Sequence, residues 1–161
     1  MIKLVASVCI EAPHDVVWAR LAKLEDIQLW SEPVVHARCG AISHGVGAER
    51  TCELAGNYTI KERWVAWDEG RSFQYEGFGI PMMQRAVNRW SVIPHGEQSL
   101  LTSEAELEFK GGVFGRILEP ILGPLMRRMA PNVLAGFKYL VEHGHPYDGK
   151  ASELPRAPAT C

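Results

Sequence analysis

Apolar and polar residues alternate through most of this chain, and then the period changes. Ile2, Leu4, Ala6, Val8 and Ile10 alternate with Lys3, Val5, Ser7 and Cys9, the period of a strand with one face on a core. The same reading predicts strands at Val34–Cys39, Ala48–Leu54, Tyr58–Trp67, Ser72–Gly79, Gln84–Ile93 and Gln98–Phe109. The turn signals between them, His44–Gly47, Ala55–Asn57, Asp68–Gly70 and Pro94–Glu97, leave no room for helical crossovers, so the strands form an antiparallel meander. From Gly112 to Gly144 the apolar positions instead recur every three or four residues, through Leu118, Leu122, Leu125, Met126, Met129, Val133, Phe137 and Leu140. That is one face of a long helix, and Pro120, Pro124 and Pro131 predict a short first segment and a bend.

Near the N-terminus, Pro13 is suited to the first turn of a short helix continuing through Val16, Val17, Ala19, Leu21 and Leu24, and Asp26–Trp30 adds one further turn. Beyond Gly144 the periodicity stops. Residues 1–144 therefore read as one domain and 145–161 as an extended or disordered tail. A long helix laid against one strongly bent sheet leaves a hollow between them, so the α+β pattern points to a container for an apolar molecule.

Strand parity decides what faces that hollow. Arg85 and Arg89 share one parity, as do Glu104, Glu106 and Glu108 on the next strand, so opposite charges mark the solvated face. Ala86, Asn88, Trp90 and Val92 then point inward with Leu101, Ser103, Ala105, Leu107 and Phe109, and Phe73 and Tyr75 join them. The expected lining is aromatic and sulfur-rich: Trp30, Tyr58, Trp64, Phe73, Tyr75, Trp90 and Phe137, with Met126 and Met129 from the helix and Asn88 and Ser103 as polar points. Phe78-Gly79-Ile80-Pro81-Met82-Met83 is apolar where a hairpin loop should be polar. Phe78, Met82 and Met83 either gate the hollow or pack against the helix or a second subunit.

Glu62 shares parity with Ile60 and Trp64. It faces the cavity as an acid–base group or, in the favoured reading, is returned to water beside a lysine or arginine. Glu62, Tyr75 and Asn88 are the catalytic candidates. His143, His145 and Asp148 offer the best metal spacing, but as surface groups at a helix end they are read as ordinary side chains, and no metal or cofactor is expected.

A formal net charge of -2, with no basic stripe, disfavours nucleic acid as a partner. No apolar run approaches the ~20 residues of a membrane span, and the first residues lack the signature of a signal peptide. Cys9, Cys39, Cys52 and Cys161 show no CxxC spacing and read as free thiols in a reducing cytoplasm rather than a disulfide or metal set.

Strand, short helical pair, six further strands and a closing helix together resemble the helix-grip fold of the START-like (SRPBCC) superfamily. The residues carrying the resemblance are Glu11-Ala12-Pro13 with Val17-Trp18 and Leu21, Trp30 before Pro33, Gly45 and Gly47, Trp67-Asp68-Glu69-Gly70-Arg71, Trp90-Ser91-Val92 with Pro94, Gly111-Gly112 and Leu134–Glu142. The polyketide cyclase/dehydrase-like bacterial branch is the most similar, and the resemblance spans residues 2–143. It implies a carrier or sequestering protein for an aromatic, polyketide-like or acyl-chain molecule. The alternatives are a metal-free cyclase, dehydratase or isomerase using the same cavity, or a module that hands lipid or quinone to a partner. A homodimer stays open.

Overall fold

The computed structural model describes all residues, Met1–Cys161. Its elements are β1 (Ile2–Ile10), α1 (His14–Leu21), a 3-10 turn (Leu24–Asp26), α2 (Ile27–Trp30), β2 (Val34–Cys39), β3 (Glu49–Leu54), β4 (Tyr58–Asp68), β5 (Ser72–Phe78), β6 (Met83–His95), β7 (Gln98–Phe109) and α3 (Val113–His143). The strands form one antiparallel sheet in the order β1-β7-β6-β5-β4-β3-β2, with β1 and β2 as its edges. Every expected strand is present, its bounds moved by no more than a couple of residues. The register sets Arg89 opposite Glu104 and Arg85 opposite Glu108, as the charge parity requires.

The interior divides into two apolar clusters. The larger joins α1, α2, the inner faces of β1–β7 and the second half of α3, and includes Val8, Trp30, Trp64, Phe73, Trp90 and Phe137. The smaller, around Ile2, Ala86, Leu107 and Phe109, is capped by Leu122 and Met126 of α3 and by Ile80 and Met83.

α3 runs unbroken from Val113 to His143 despite Pro120, Pro124 and Pro131 within it, so the expected short first segment is not formed. Its second half is tied firmly to β1. Lys138 Nζ donates to the Cys9 carbonyl at 2.8 Å and pairs with Glu142 at 2.5 Å, and Glu142 also accepts the Glu11 N–H at 2.8 Å. Packing there allows no spare atom. A Cβ on Gly136 would lie 2.5 Å from the carbonyl oxygen of Trp30, so this contact between α2 and α3 requires glycine.

The chain after α3 returns to the free edge of β1. The Cys9 N–H donates to the Pro158 carbonyl at 2.8 Å, and Cys9 is joined to Cys161 by a disulfide with a Cα–Cα distance of 5.0 Å. The expectation of four free thiols is therefore corrected: Cys39 and Cys52 are free, and Cys9 and Cys161 are not. A reducing compartment no longer follows from the cysteines.

Candidate functional site

Three rows of inward side chains cross the sheet, and the register names their members. The first runs Arg50–Glu62–Gly77–Ala86–Leu107–Ile2 from β3 to β1. The second runs Trp64–Tyr75–Asn88–Ala105–Leu4. The third runs Trp67–Phe73–Trp90–Ser103–Ala6.

Accessibility changes along these rows in an informative way. On β1, Ile2 and Val8 are buried while Leu4 and Ala6 between them are only half-buried. On β7, Leu101 and Leu107 are buried while Ser103 and Ala105 between them are not, and on β6 Asn88 is half-buried between Ala86 and Trp90. A patch spanning three neighbouring strands thus stays within reach of solvent although it faces α3. It lies between the two apolar clusters, and the small side chains Ala6, Ser103 and Ala105 make up most of its floor, with Leu4 and Asn88 beside them. This accessible patch beneath α3 is the candidate recess.

The recess ends against aromatic rings and buried charge. Trp64 and Tyr75 lie 4.7 Å apart between ring centroids, Trp30 and Trp90 5.5 Å, and Trp30 and Phe137 5.2 Å. Behind Trp64 and Tyr75 sits the Arg50 guanidinium, 4.9 Å and 5.7 Å from their ring centroids. Its Nε donates to Glu62 Oε2 at 2.6 Å, and its Nη1 donates to the Leu24 carbonyl at 2.7 Å. Arg50 and Glu62 are both buried, so each carries the cost of desolvation and each depends on the other.

That pair sets the protonation of its neighbours. Burial works against the Arg50 charge, but Glu62 overrides it and holds the guanidinium pKa above its ordinary value. Burial, reinforced by the Glu62 charge, pushes the Tyr75 hydroxyl well above the usual phenol range, so it is a donor at neutral pH and not a base. The Cys52 thiol, which donates to Glu62 Oε2 at 3.6 Å, is pushed up to about 12 by the same two causes.

Two indole donors have no acceptor: Trp64 Nε1 and Trp90 Nε1, both buried. Trp90 lies close enough to the Tyr75 hydroxyl to lower its pKa slightly against the larger upward push, without the geometry of a hydrogen bond. Buried donors are nearly always paired, so two exceptions call for a reason. Elsewhere in the molecule the rule is obeyed: Trp18 Nε1 and Trp67 Nε1 donate to Glu69 at 2.8 Å and 2.6 Å.

The structure gathers most of the expected lining. Trp30, Trp64, Phe73, Tyr75, Trp90 and Phe137 are buried together, Asn88 and Ser103 are half-buried on the neighbouring strands, and Met126 is half-buried against the smaller cluster. Two expectations are corrected. Tyr58 is 52% exposed, because the end of β4 runs past the core and its ring folds over the Gly56 turn. Met129 is 57% exposed, on the outer side of α3. Phe78 and Met82 also face solvent, and only Ile80 and Met83 of that loop reach the smaller cluster.

Glu62 is not returned to water. The bulge in β4 falls after Trp64, between Trp64 and Ala66, so it leaves the parity of Glu62 inward. Sequence reasoning misses Arg50 altogether. Its signal is parity, since Ala48, Arg50 and Cys52 alternate with Glu49 and Thr51, but recognising its partner requires the β3–β4 register.

Two surface clefts lie apart from the recess. One of about 240 Å³ sits between α2 and the tail around Tyr147 and Gly149. The other, of about 350 Å³, lies between the second half of α3 and the tail at Leu154–Pro158. His143 and His145 flank Tyr139 there, His143 stacking on it at 3.9 Å.

Comparison with known proteins agrees with this architecture. No curated protein matches the sequence. Among solved structures, a protein of Thermus thermophilus superposes with a TM-score of 0.70 at 19% identity, covering 88% of this chain and 98% of that one. One from Thermobifida fusca gives 0.66 at 25% identity, covering 91% and 98%. A START superfamily protein of Mycobacterium smegmatis gives 0.64 at 13%, covering 83% and 94%, which shows the shared helix-grip fold. The sequence profile described as polyketide cyclase / dehydrase and lipid transport matches residues 1–142, and the chain belongs to that family.

Proposed function

We propose that this protein binds a hydrophobic, oxygen-bearing ring or acyl compound in the recess beneath α3 and carries or sequesters it. The observation that supports this most is the pair of unpaired indole donors, Trp64 Nε1 and Trp90 Nε1, at the end of a solvent-reachable floor of mostly small residues. Aromatic walls desolvate the body of the guest. The polar groups among them can all donate: the two indoles only donate, while the protonated Tyr75 hydroxyl, the Asn88 amide and the Ser103 hydroxyl donate as well as accept. A guest presenting carbonyl or phenolic oxygens satisfies them, whereas a bare hydrocarbon leaves them unpaired.

Trp90→Phe tests this by removing one donor while keeping most of the ring. Affinity for an aromatic ketone or quinone, followed by calorimetry under conditions where the variant is fully folded, falls by about 2- to 10-fold, the worth of one hydrogen bond. Loss of stability with unchanged affinity contradicts the reading.

A second reading is catalysis. Tyr75 faces Asn88 across the β5–β6 ladder, and the two could together polarise a carbonyl during cyclisation or dehydration. Glu62 is a poorer candidate because its Oε2 is already engaged by Arg50 and Cys52. Tyr75→Phe would then abolish turnover of a polyketide-like substrate and leave its binding intact. Turnover that survives the change excludes Tyr75 from the chemistry.

A further inference from the structure

The first half of α3 is apolar on both sides. Leu118, Leu122 and Met126 face the protein, the last two packed on the smaller cluster. Val113, Phe114, Ile117, Ile121, Leu125 and Met129 face outward and are 53% to 78% exposed. Ile117, Ile121, Leu125 and Met129 recur every fourth residue, so they form a continuous stripe along the helix. A surface helix ordinarily turns charge to water there, and an uncovered stripe of this length marks a contact surface.

Charge identifies the occupant. Lys110, Arg116, Arg127 and Arg128 are all exposed, and none is in an ion pair. The sole acidic side chain between residues 110 and 130, Glu119, is bonded to the N-terminal ammonium of Met1. Four uncompensated cations around an apolar stripe are a local excess on a chain whose formal charge is -2. The tip of the neighbouring loop adds Met82, which is 56% exposed; its carbonyl accepts the Lys110 N–H at 2.9 Å, holding the loop against the start of the helix.

We propose that this half of α3 docks in the plane of an anionic phospholipid bilayer. The aliphatic stripe enters the acyl boundary while the arginines and Lys110 reach the phosphates. Long basic side chains suit that position, since their stems lie on apolar surface and their heads stay in the headgroup layer. The contact is peripheral, because no helix is long and apolar enough to cross a membrane. A second copy of the chain fits less well. A two-fold contact places the same patch on both sides, and four unpaired cations would then face four more. This surface is on the outside of α3, so its role is independent of what the recess holds.

Liposome flotation of the full chain tests it, using phosphatidylcholine vesicles with and without phosphatidylglycerol. The protein floats with the anionic vesicles, is left behind by the neutral ones, and detaches as salt is raised. Arg127→Gln and Arg128→Gln each lower partition about fivefold. Ile117→Glu with Ile121→Glu abolishes it, with the circular dichroism spectrum unchanged. Trp90→Phe floats as the wild type does. Three outcomes overturn the proposal: no flotation, equal flotation on neutral vesicles, or a dimer in sedimentation equilibrium that Ile121→Glu dissociates.

Discussion

The two halves of α3 are similarly apolar and turn their side chains to opposite uses. In the second half Leu134, Phe137 and Leu140 are all at most 2% exposed, locked against Trp30 and β1. In the first half the buried positions are Gly115 and Gly123, while branched and aromatic side chains stand in water. Identical periodicity therefore describes a core-forming segment and an unpartnered one. Apolar spacing says which residues share a helix face, but the sheet beneath decides which face is covered.

The largest effects separate those halves directly. Phe137→Ala should cost about 3–5 kcal/mol in denaturant unfolding, whereas Ile121→Ala should stay within about 0.5 kcal/mol. Comparable losses at both sites would mean that the outer stripe is packed against the protein after all. The buried pair beneath the recess gives a similar magnitude. Glu62→Ala leaves the Arg50 guanidinium without its partner and should destabilise by about 3–5 kcal/mol, while the double change Glu62→Leu, Arg50→Met should recover most of it. No recovery in the double variant would show that the loss came from packing and not from the stranded charge.

Cys161→Ser comes next. It opens a link spanning 152 residues and frees the end of the tail from the edge of β1. A loss of about 2–4 kcal/mol is expected, and reductant should give the same loss in the wild type and none in the variant. A wild-type melting temperature indifferent to reductant would indicate that Cys9 and Cys161 are not joined in solution.

The smallest effect lies at Glu69, remote from both halves of α3, where donors from Trp67, Trp18 and His44 hold the carboxyl below its ordinary range. A folded-state pKa below the unfolded one contributes stability at neutral pH that is lost as pH falls through the folded value. Glu69→Gln should therefore melt slightly lower than the wild type at neutral pH, with the gap closing in acid. A gap that persists at low pH would assign the effect to shape rather than charge.

Much of this is legible along the chain. The alternation of Glu104, Glu106 and Glu108 with Leu101, Leu107 and Phe109 orients β7 correctly, and through it β6 and the aromatic wall. What is not legible depends on pairs. Arg50 and Glu62 meet only through the β3–β4 register, and Cys9 meets Cys161 only because the tail doubles back along β1. Leu125 and Met129 share a period with Phe137, but the period carries no information about where the sheet ends. Tyr58 has the inward parity of Trp64 and still lies in water, because β4 outlasts the core that parity refers to.

The most direct test of the recess is the response of the five indole N–H signals in an NMR titration with a hydroxylated naphthoquinone, an oxygen-bearing ring compound. Trp64 and Trp90 should shift as their free donors find the guest's oxygens, while Trp18 and Trp67, already bonded to Glu69, hold still. Movement confined to Trp18 and Trp67, or no movement at any saturating concentration, would contradict a ligand site between the sheet and α3.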